Sequence, residues 1–423
     1  MSVTARRHRE HARRRSSKDR RFERLKLCHV IKATSVGGAE NHLLALLPRL
    51  DAAKFDVSLT VLVEPRNSMR SWIDSLTRQG IHVNSLPIRG NLDPLALASL
   101  WWSFERARYD LLHTHLIHAD LYAGLAARLN SFPIVVSTRH NDNRFRTHPF
   151  YAWLNRQSAK TASRIIAVSS YLREFIAAAE GIPKDKIVVI RHGLDLNSSD
   201  ANREGIVCRE LGIPPTAPVA AIVARLTEQK GHTYLLQAFA EVIRTIPDAR
   251  LLIVGSGSLM TALQSLVNRL GLGSNVIFTG YRSDARALMS EVNLIVLSSL
   301  WEGFGLVLLE AMAAAKPVVA TDVSAIQEVV EHKVTGLLVP PRDPQSLARA
   351  IIELLQDPHE AQRMGRAGRQ RVEALFTIEG MIQQTEAVYE GLMRERLSLY
   401  WDGRTWRRAD SEERSADTDT LHR

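Results

Sequence analysis

Two series of short apolar runs, each alternating with helix-like segments, constrain the fold of this 423-residue chain more than any other feature. The first series lies at 27–31, 57–63, 111–114, 134–137, 165–168 and 187–190, and the second at 219–223, 251–254, 276–278, 294–297, 318–320 and 337–339. Strands that alternate with helices favour parallel sheets covered by helices on both faces. A turn-rich stretch at 195–218 separates the two series. The sequence therefore predicts two Rossmann-like, doubly wound α/β domains that face each other across a cleft, with ligand at the carboxyl ends of the strands.

This organisation gives five predicted segments. They are a basic tail at 1–25, a first domain at 26–196, a second domain at 197–376, a bracing helix at 377–398 and a polar tail at 399–423. The two cysteines, Cys28 and Cys208, have no metal-ligand spacing, which suits a reducing compartment. The N-terminus lacks the apolar core of a signal peptide, so we expect a cytoplasmic protein.

The positive charge of the chain is concentrated at its N-terminus. Residues 1–26 contain eleven Lys or Arg and three Asp or Glu, and so carry +8 of the formal net charge of +10. Such a segment is expected to be disordered and to bind an anionic membrane surface, where each basic residue contributes about 1 kcal/mol. A solubilising extension is the alternative. Nucleic acid is not an expected partner, because no basic stripe continues into the predicted domains.

A Gly-Phe-Gly turn at 303–305 lies between two glutamates, Glu302 and Glu310, and opens an apolar helix after the run at 294–297. Backbone N–H groups and the helix dipole favour an anion at such a helix start. Glu310 lies about a turn and a half into this helix, roughly 7 Å along its axis from the glycine turn. A nucleotide-sugar fits this arrangement, with its diphosphate over the turn, Glu302 toward the sugar and Glu310 toward the ribose. For Glu302 alone, an ordinary surface glutamate is the alternative.

Other charged and glycine-rich segments also follow predicted strands. Arg225 and Lys230 flank the loop after 219–223, where the arginine fork and the lysine charge can converge on one diphosphate. Paired glycines in the segment Gly-Gly-Ala-Glu at 37–40 permit close approach of backbone to a phosphate or sugar. His140 follows the run at 134–137 and is a candidate, although a lone histidine is more often a packed residue. Neither predicted domain contains an Asp-x-Asp metal motif, so the cationic side chains would replace Mg²⁺ at the leaving diphosphate.

Together these residues resemble a known family. The segments Gly-Gly-Ala-Glu at 37–40, His-Thr-His at 113–115, Arg-His-Gly-Leu-Asp at 191–195, Ala-Arg-Leu…Lys-Gly at 224–231 and Glu-x7-Glu at 302–310 resemble the retaining glycosyltransferases of family 4. The resemblance covers about residues 26–395 and implies the GT-B fold, with the first domain on the acceptor side and the second binding the nucleotide-sugar. The chain departs from the family pattern at His192, Lys316 and Gln327.

The resemblance also implies roles for individual residues. The catalytic residues would be Arg225, Lys230, Glu302 and His140, and the donor-binding residues Gly38, Phe304, Gly305, Leu306 and Glu310. Arg225 and Lys230 would bind the diphosphate, and His140 would lie beside the transferred sugar. Glu328 resembles the glutamate of a Pro-Glu-Val-Val segment in the family. No metal and no cofactor is expected, and the donor itself is a substrate.

The predicted activity is transfer of a hexosyl group, with retention, from a nucleoside-diphosphate sugar to a hydroxyl of a glycan, a lipid-linked acceptor or another acceptor. Envelope or extracellular polysaccharide or glycolipid biosynthesis is the expected setting, with the protein cytoplasmic or peripheral on the inner face of the plasma membrane. The alternatives are a GT-B-fold binding protein without catalysis, recruited by the basic tail, and a nucleotide-sugar epimerase. The pair Trp101–Trp102 suggests a membrane-borne acceptor, but core packing inside an apolar helix is the stronger interpretation.

Overall fold

The computed structural model describes residues 23–408, except 66, 68, 91–92, 131, 133, 143–148 and 197–205. The chain divides into two compact units. The first contains Met1–Ser137, Gln157–Arg164 and Ile382–Arg423, and the second contains Thr138–Arg156 and Ile165–Met381. Residues 1–22 of the predicted basic tail, the predicted boundary at 197 and everything after 408 lie outside the described residues.

A seven-stranded sheet is formed by the first series of apolar runs, with strand order β3-β2-β1-β4-β5-β6-β7. Its strands are β1 (Leu25–Ala33), β2 (Phe55–Val63), β3 (His82–Pro87), β4 (Leu111–His115), β5 (Val135–Arg139), β6 (Arg164–Ala167) and β7 (Ile187–Val189). The helices between them are α1 (Gly38–Leu46), α2 (Arg70–Arg78), α3 (Pro94–Ala107), α4 (Leu116–Leu129), α5 (Pro149–Thr161) and α6 (Ser170–Glu180). Strand β1 pairs in parallel with both β2 and β4, which confirms the predicted parallel sheet.

A six-stranded parallel sheet is formed by the second series, with strand order β10-β9-β8-β11-β12-β13. Its strands are β8 (Val219–Val223), β9 (Arg250–Val254), β10 (Val276–Gly280), β11 (Leu294–Leu297), β12 (Val318–Thr321) and β13 (Gly336–Val339). The helices around and after it are α7 (Ile206–Glu210), α8 (His232–Thr245), α9 (Met260–Arg269), α10 (Ala285–Glu291), α11 (Leu306–Ala313), α12 (Ile326–Val329), α13 (Pro344–Gln356), α14 (Pro358–Leu375) and α15 (Ile378–Leu397).

The core of the six-stranded sheet is apolar and continuous. Side chains of β8 and β9 and of α8 and α13 share one buried cluster, which includes Ile222, Ile253, Phe239 and Ile351. Burial of each such side chain contributes about 1.5–3 kcal/mol to the free energy of folding. This packing fixes the carboxyl ends of the strands, from which the candidate site is built.

Residues 399–408 do not belong to a polar tail, so that part of the prediction is wrong. They form an antiparallel hairpin of β14 (Leu399–Trp401) and β15 (Trp406–Arg408). Asp402 accepts hydrogen bonds from the N–H groups of Arg404 and Thr405, which closes the turn. Trp406 is fully buried and its indole N–H donates to the carbonyl of Lys54 at 3.0 Å. A single buried aromatic residue thus orders a polar segment.

The prediction that Trp101 and Trp102 pack in the core is also wrong. Helix α3 turns Ala96, Leu100 and Phe104 inward, at a spacing of four residues. The tryptophans follow Leu100 directly and leave that face, with exposures of 39% and 58%. The guanidinium of Arg106 lies 5.4 Å from the centre of the Trp102 ring.

Candidate functional site

The candidate site lies at the point where the strand order of the second sheet reverses. Strand β8 pairs with β9 on one side and with β11 on the other. The connections leave these two neighbouring strands in opposite directions, which opens a crevice at their carboxyl ends. The loop with Arg225 and Lys230 follows β8, and the turn with Glu302 follows β11, so the sheet brings the two strongest motifs of the sequence together.

The loop after β8 is held in place by its backbone. Residues Glu228–Lys230 form a short 3-10 turn. The Ser298 hydroxyl donates to the carbonyl of Lys230 at 2.9 Å, and the N–H of Leu300 donates to the carbonyl of Gln229 at 2.7 Å. Gly231 has φ +61°, and a Cβ there would lie 2.0 Å from the Ser298 carbonyl oxygen. The geometry of the turn therefore requires glycine at position 231.

Lys230 and Glu302 form an ion pair across the crevice. The Ser299 hydroxyl donates to Glu302 Oε1 at 2.6 Å, and Glu302 is only 5% exposed. Arg225, in contrast, is exposed, and its side chain has no ion pair or hydrogen bond within the described part of the chain. One predicted cation is therefore fixed to a carboxylate, whereas the other is free for an anion.

Helix α11 begins at this crevice. Gly305 immediately precedes it with φ +89°, and no side chain of the described residues caps its first turn, which begins at Leu306. Free N–H groups at a helix start attract anions. Phe304 is buried between His192 and Phe376, with ring centroids at 5.4 and 5.8 Å, so only its backbone can face a ligand.

Glu310 lies on α11 and is paired with Arg286 of α10, whose Nε lies 3.2 Å from Glu310 Oε1. Burial raises the pKa of Glu310, and the guanidinium partly opposes this change. Arg286 is not among the residues predicted from the sequence. The sequence around Arg286 does not indicate a site residue, because a single arginine on a short helix is indistinguishable from a surface residue.

His140 lies next to the Glu302 turn. The residue is 5% exposed and its ring stacks on His192 with centroids 5.6 Å apart. A Cβ at Gly303 would lie 1.9 Å from the His140 carbonyl oxygen, so the two backbone segments touch. The structure thus brings together Lys230, Glu302 and His140, whose catalytic roles remain predictions.

Asp142 is a second residue of the site that was not predicted from the sequence. Ser324 donates to Asp142 Oδ2 at 2.7 Å and accepts from the Glu302 N–H at 3.3 Å. Burial raises the pKa of Asp142, the hydrogen bond from Ser324 and the nearby Tyr171 side chain lower it, and the Glu302 charge raises it. Its position two residues after His140 was the only available signal.

Glu328 is located at the start of α6 rather than at the Lys230–Glu302 pair. Its carboxylate accepts hydrogen bonds from the N–H groups of Ser170 and Tyr171 at 3.1 and 2.8 Å. Arg191 forms an ion pair with the same carboxylate at 3.0 Å. An acidic side chain stabilises a helix N-terminus, so Glu328 fixes the position of α6.

Gly38, the remaining donor-binding candidate, begins α1 in the first unit. The Glu40 side chain turns back and accepts from the Gly37 N–H at 2.9 Å. The Gly-Gly-Ala-Glu segment therefore forms a closed helix start after β1. Its predicted contact with a donor remains a prediction.

The His-Thr-His segment belongs to a buried histidine cluster in the first unit. His29 Nδ1 lies 3.0 Å from His115 Nε2, and His113 Nδ1 lies 2.6 Å from the Tyr389 hydroxyl. Burial lowers the pKa of His29 to about 3. Nitrogens of His29, His113 and His115 all lie within 4.8 Å of one another, so these three residues could hold a metal ion.

No helix among the described residues is both long enough and apolar enough to cross a membrane.

Two family models match the chain. The model of glycosyltransferase family 4 matches residues 36–198, and that of glycosyl transferases group 1 matches residues 207–371. The UDP-Gal:alpha-D-GlcNAc-diphosphoundecaprenol alpha-1,3-galactosyltransferase of Escherichia coli is 27% identical over 346 residues, which cover 79% of this chain and 89% of that protein. The alpha-maltose-1-phosphate synthase of Mycolicibacterium smegmatis is 30% identical over 306 residues, which cover 66% and 78%.

Solved structures show the same architecture. Anabaena Alr3699/HepE in complex with UDP and glucose has a TM-score of 0.76 at 23% identity, over 87% of this chain and all of that one. WaaG, a glycosyltransferase involved in lipopolysaccharide biosynthesis, has a TM-score of 0.68 at 14% identity, over 86% of this chain and 99% of that one. With the two parallel sheets, these likenesses confirm the predicted GT-B fold.

Proposed function

Because the chain belongs to the family 4 glycosyltransferases, of glycosyl transferases group 1, we propose that it transfers a hexosyl group from a nucleoside-diphosphate sugar to an acceptor hydroxyl, with retention of configuration. The observation that carries the proposal is the Lys230–Glu302 pair at the β8/β11 crevice, beside the exposed Arg225 and the uncapped start of α11. Such a group of charges suits a diphosphate joined to a polyol.

In this proposal the donor diphosphate lies between the two cations and the first turn of α11. Lys230 then shares its charge between Glu302 and the phosphate, and Arg225 binds the phosphate as a fork. Glu302 accepts hydrogen bonds from sugar hydroxyls, while Glu310, oriented by Arg286, accepts from the ribose. The fixed cations stabilise the leaving diphosphate as the bond to the sugar breaks.

Retention and metal independence are part of the same proposal. The departing phosphate oxygen takes the acceptor proton on the face that it leaves, so no carboxylate pair of the glycosidase type is required. The side-chain charges of Arg225 and Lys230 supply what Mg²⁺ would otherwise supply. We expect undiminished turnover in EDTA and a product with the donor's anomeric configuration by NMR.

We further propose a membrane-borne or glycan acceptor and a cytoplasmic, peripheral location. The relative from Escherichia coli carries a diphosphoundecaprenol acceptor in its name, and WaaG is involved in lipopolysaccharide biosynthesis. The exposed Trp101–Trp102 pair and the +8 charge of residues 1–26 also support this proposal.

The test is a thermal-shift series with UDP, GDP, ADP and their common sugar conjugates. A ligand that binds only the folded state raises the melting temperature by mass action. We expect a shift with one nucleotide family, and its loss in Lys230→Ala. Absence of a shift with every nucleotide would contradict the proposed donor.

A further inference from the structure

A small cavity lies beside the Glu302 turn in the second unit. Its volume is about 240 Å³, and Asp142, Tyr171, Phe175, Trp301 and Ser324 are among its lining residues. Pockets for drug-sized ligands have roughly 300–1,000 Å³. The cavity is therefore suited to one small ring rather than to a whole nucleotide.

One oxygen of the Asp142 carboxylate is unused in this cavity. The residue is 4% exposed, and its Oδ2 accepts from Ser324 at 2.7 Å. Its Oδ1 is buried and has no hydrogen-bond partner in the described part of the chain. An unsatisfied buried acceptor is costly, and native structures normally supply a donor for it. A ligand hydroxyl can be that donor.

The walls of the cavity complement the other surface of such a ligand. Tyr171 and Phe175 stack in parallel, with ring centroids 6.3 Å apart, and Tyr171 is 37% exposed. Trp301 adds a third aromatic residue to the lining. A sugar ring presents C–H groups on its faces and hydroxyls on its edge. Aromatic walls around one carboxylate are therefore a suitable environment for a pyranose.

Ser324 connects this cavity to the proposed donor site. Its hydroxyl accepts from the Glu302 N–H and donates to Asp142, so one side chain separates the two carboxylate-bearing segments. Ser324 has φ +50°, a left-handed conformation that is strained for a residue other than glycine. Strain of this kind persists where the surrounding structure enforces a functional geometry.

From this geometry we propose that the cavity binds a sugar ring of the acceptor, with Asp142 Oδ1 accepting a hydrogen bond from a ring hydroxyl and the aromatic residues covering the ring. The proposal rests on the proposed function, because an acceptor presupposes a donor. It assigns Glu302 to the donor sugar and Asp142 to the acceptor sugar. Ser324, which is hydrogen-bonded to both residues, lies between them.

Saturation-transfer NMR on the full-length protein tests the assignment. The probes are glucose, galactose, mannose and N-acetylglucosamine, each added to protein saturated with the nucleotide that gives the largest thermal shift, or to the free protein if none does. At least one sugar is expected to give a signal with the wild type. In Asp142→Ala its affinity falls roughly 10- to 100-fold, because a charged hydrogen bond is lost. If that variant does not fold, Asp142→Asn, which retains one acceptor oxygen, serves with a smaller expected loss.

The matched control is Asp248→Asn, which removes a charge from an exposed turn and should leave the sugar signal unchanged. No signal from any sugar with the wild type would overturn the proposal. A signal that survives in Asp142→Ala but is lost in Glu302→Gln would also overturn it, since the ring would then occupy the donor site.

A second measurement separates this proposal from the proposed function. The nucleotide-dependent thermal shift of the wild type is recorded alongside, because it reports donor binding independently of the sugar signal. If the sugar signal depends on Asp142 while no nucleotide shifts the wild type, the donor assignment fails and the sugar site stands. If nucleotides bind and the sugar signal is the same in the wild type and in Asp142→Ala, only the proposed sugar site is contradicted.

Discussion

Lys230 and Arg225 belong to the same loop but differ in what they contact, and this difference makes their substitutions distinguishable. We predict that Lys230→Ala and Arg225→Ala each reduce turnover by roughly 10²- to 10³-fold, because each removes a charge that stabilises the leaving diphosphate. Only Lys230→Ala should also lower stability, by about 2 kcal/mol or more, since it leaves the buried Glu302 carboxylate without its cation. Steady-state rates and urea unfolding measure the two effects. Wild-type rates in both variants would contradict the proposed binding of the diphosphate by these two side chains.

A second residue-scale prediction concerns the buried ion pair beside His140. Arg139 Nη2 lies 3.6 Å from Glu180 Oε2, and both side chains are almost completely buried. Glu180→Ala should therefore destabilise the protein by about 3–5 kcal/mol in urea unfolding, because a buried guanidinium loses its counter-charge. The control is Glu241→Ala, whose partner Arg244 is 72% exposed, with an expected change within about 0.5 kcal/mol. Equal effects of the two substitutions would contradict the prediction.

At the scale of the element, β1 and β4 place His29, His113 and His115 on one buried face. Burial lowers the pKa of His29 to about 3, so the folded state keeps it neutral while the unfolded state is protonated below about pH 6.5. Stability should therefore fall as the pH falls from 6.5, by about 1.4 kcal/mol per pH unit for this one group. His29→Gln should reduce the slope by about 1 kcal/mol per pH unit in urea unfolding between pH 6.5 and 5, since the unfolded histidine is only half-protonated at pH 6.5. An unchanged slope would show that His29 is protonated in the folded state.

The elements also show how far the sequence determines the structure. Apolar runs located twelve of the thirteen strands of the two main sheets, because central parallel strands are continuously hydrophobic. Strand β3 was missed because half of its residues are polar, so that it forms no continuous apolar run, and it lies at an edge of its sheet. The face of α3 that carries Trp102 was misjudged because periodicity alone did not identify the buried stripe.

The candidate site was predictable only in part for a related reason. Glycine turns and charged residues after strands located Lys230 and Glu302 individually. Their ion pair depends on β8 and β11 being neighbours, which is a property of strand order rather than of local sequence. The contact of Asp142 with Ser324 joins residues 182 positions apart, and no local pattern encodes it.

At the scale of the whole molecule, the charge and the exposed aromatic residues make separable predictions about membrane binding. Residues 1–26 carry +8, so a variant without residues 1–22 should lose most of its binding to phosphatidylserine vesicles and keep its turnover of a soluble donor. A double variant, Trp101→Ala with Trp102→Ala, should weaken binding at high salt, where the charge contribution is screened and the apolar contribution remains. Vesicle co-sedimentation at low and high salt measures both, and Leu375→Ala, at an exposed apolar residue of α14, is the control. If neither change affects co-sedimentation while donor turnover persists, neither residues 1–22 nor the two tryptophans bind the membrane. The proposed peripheral location would then be contradicted.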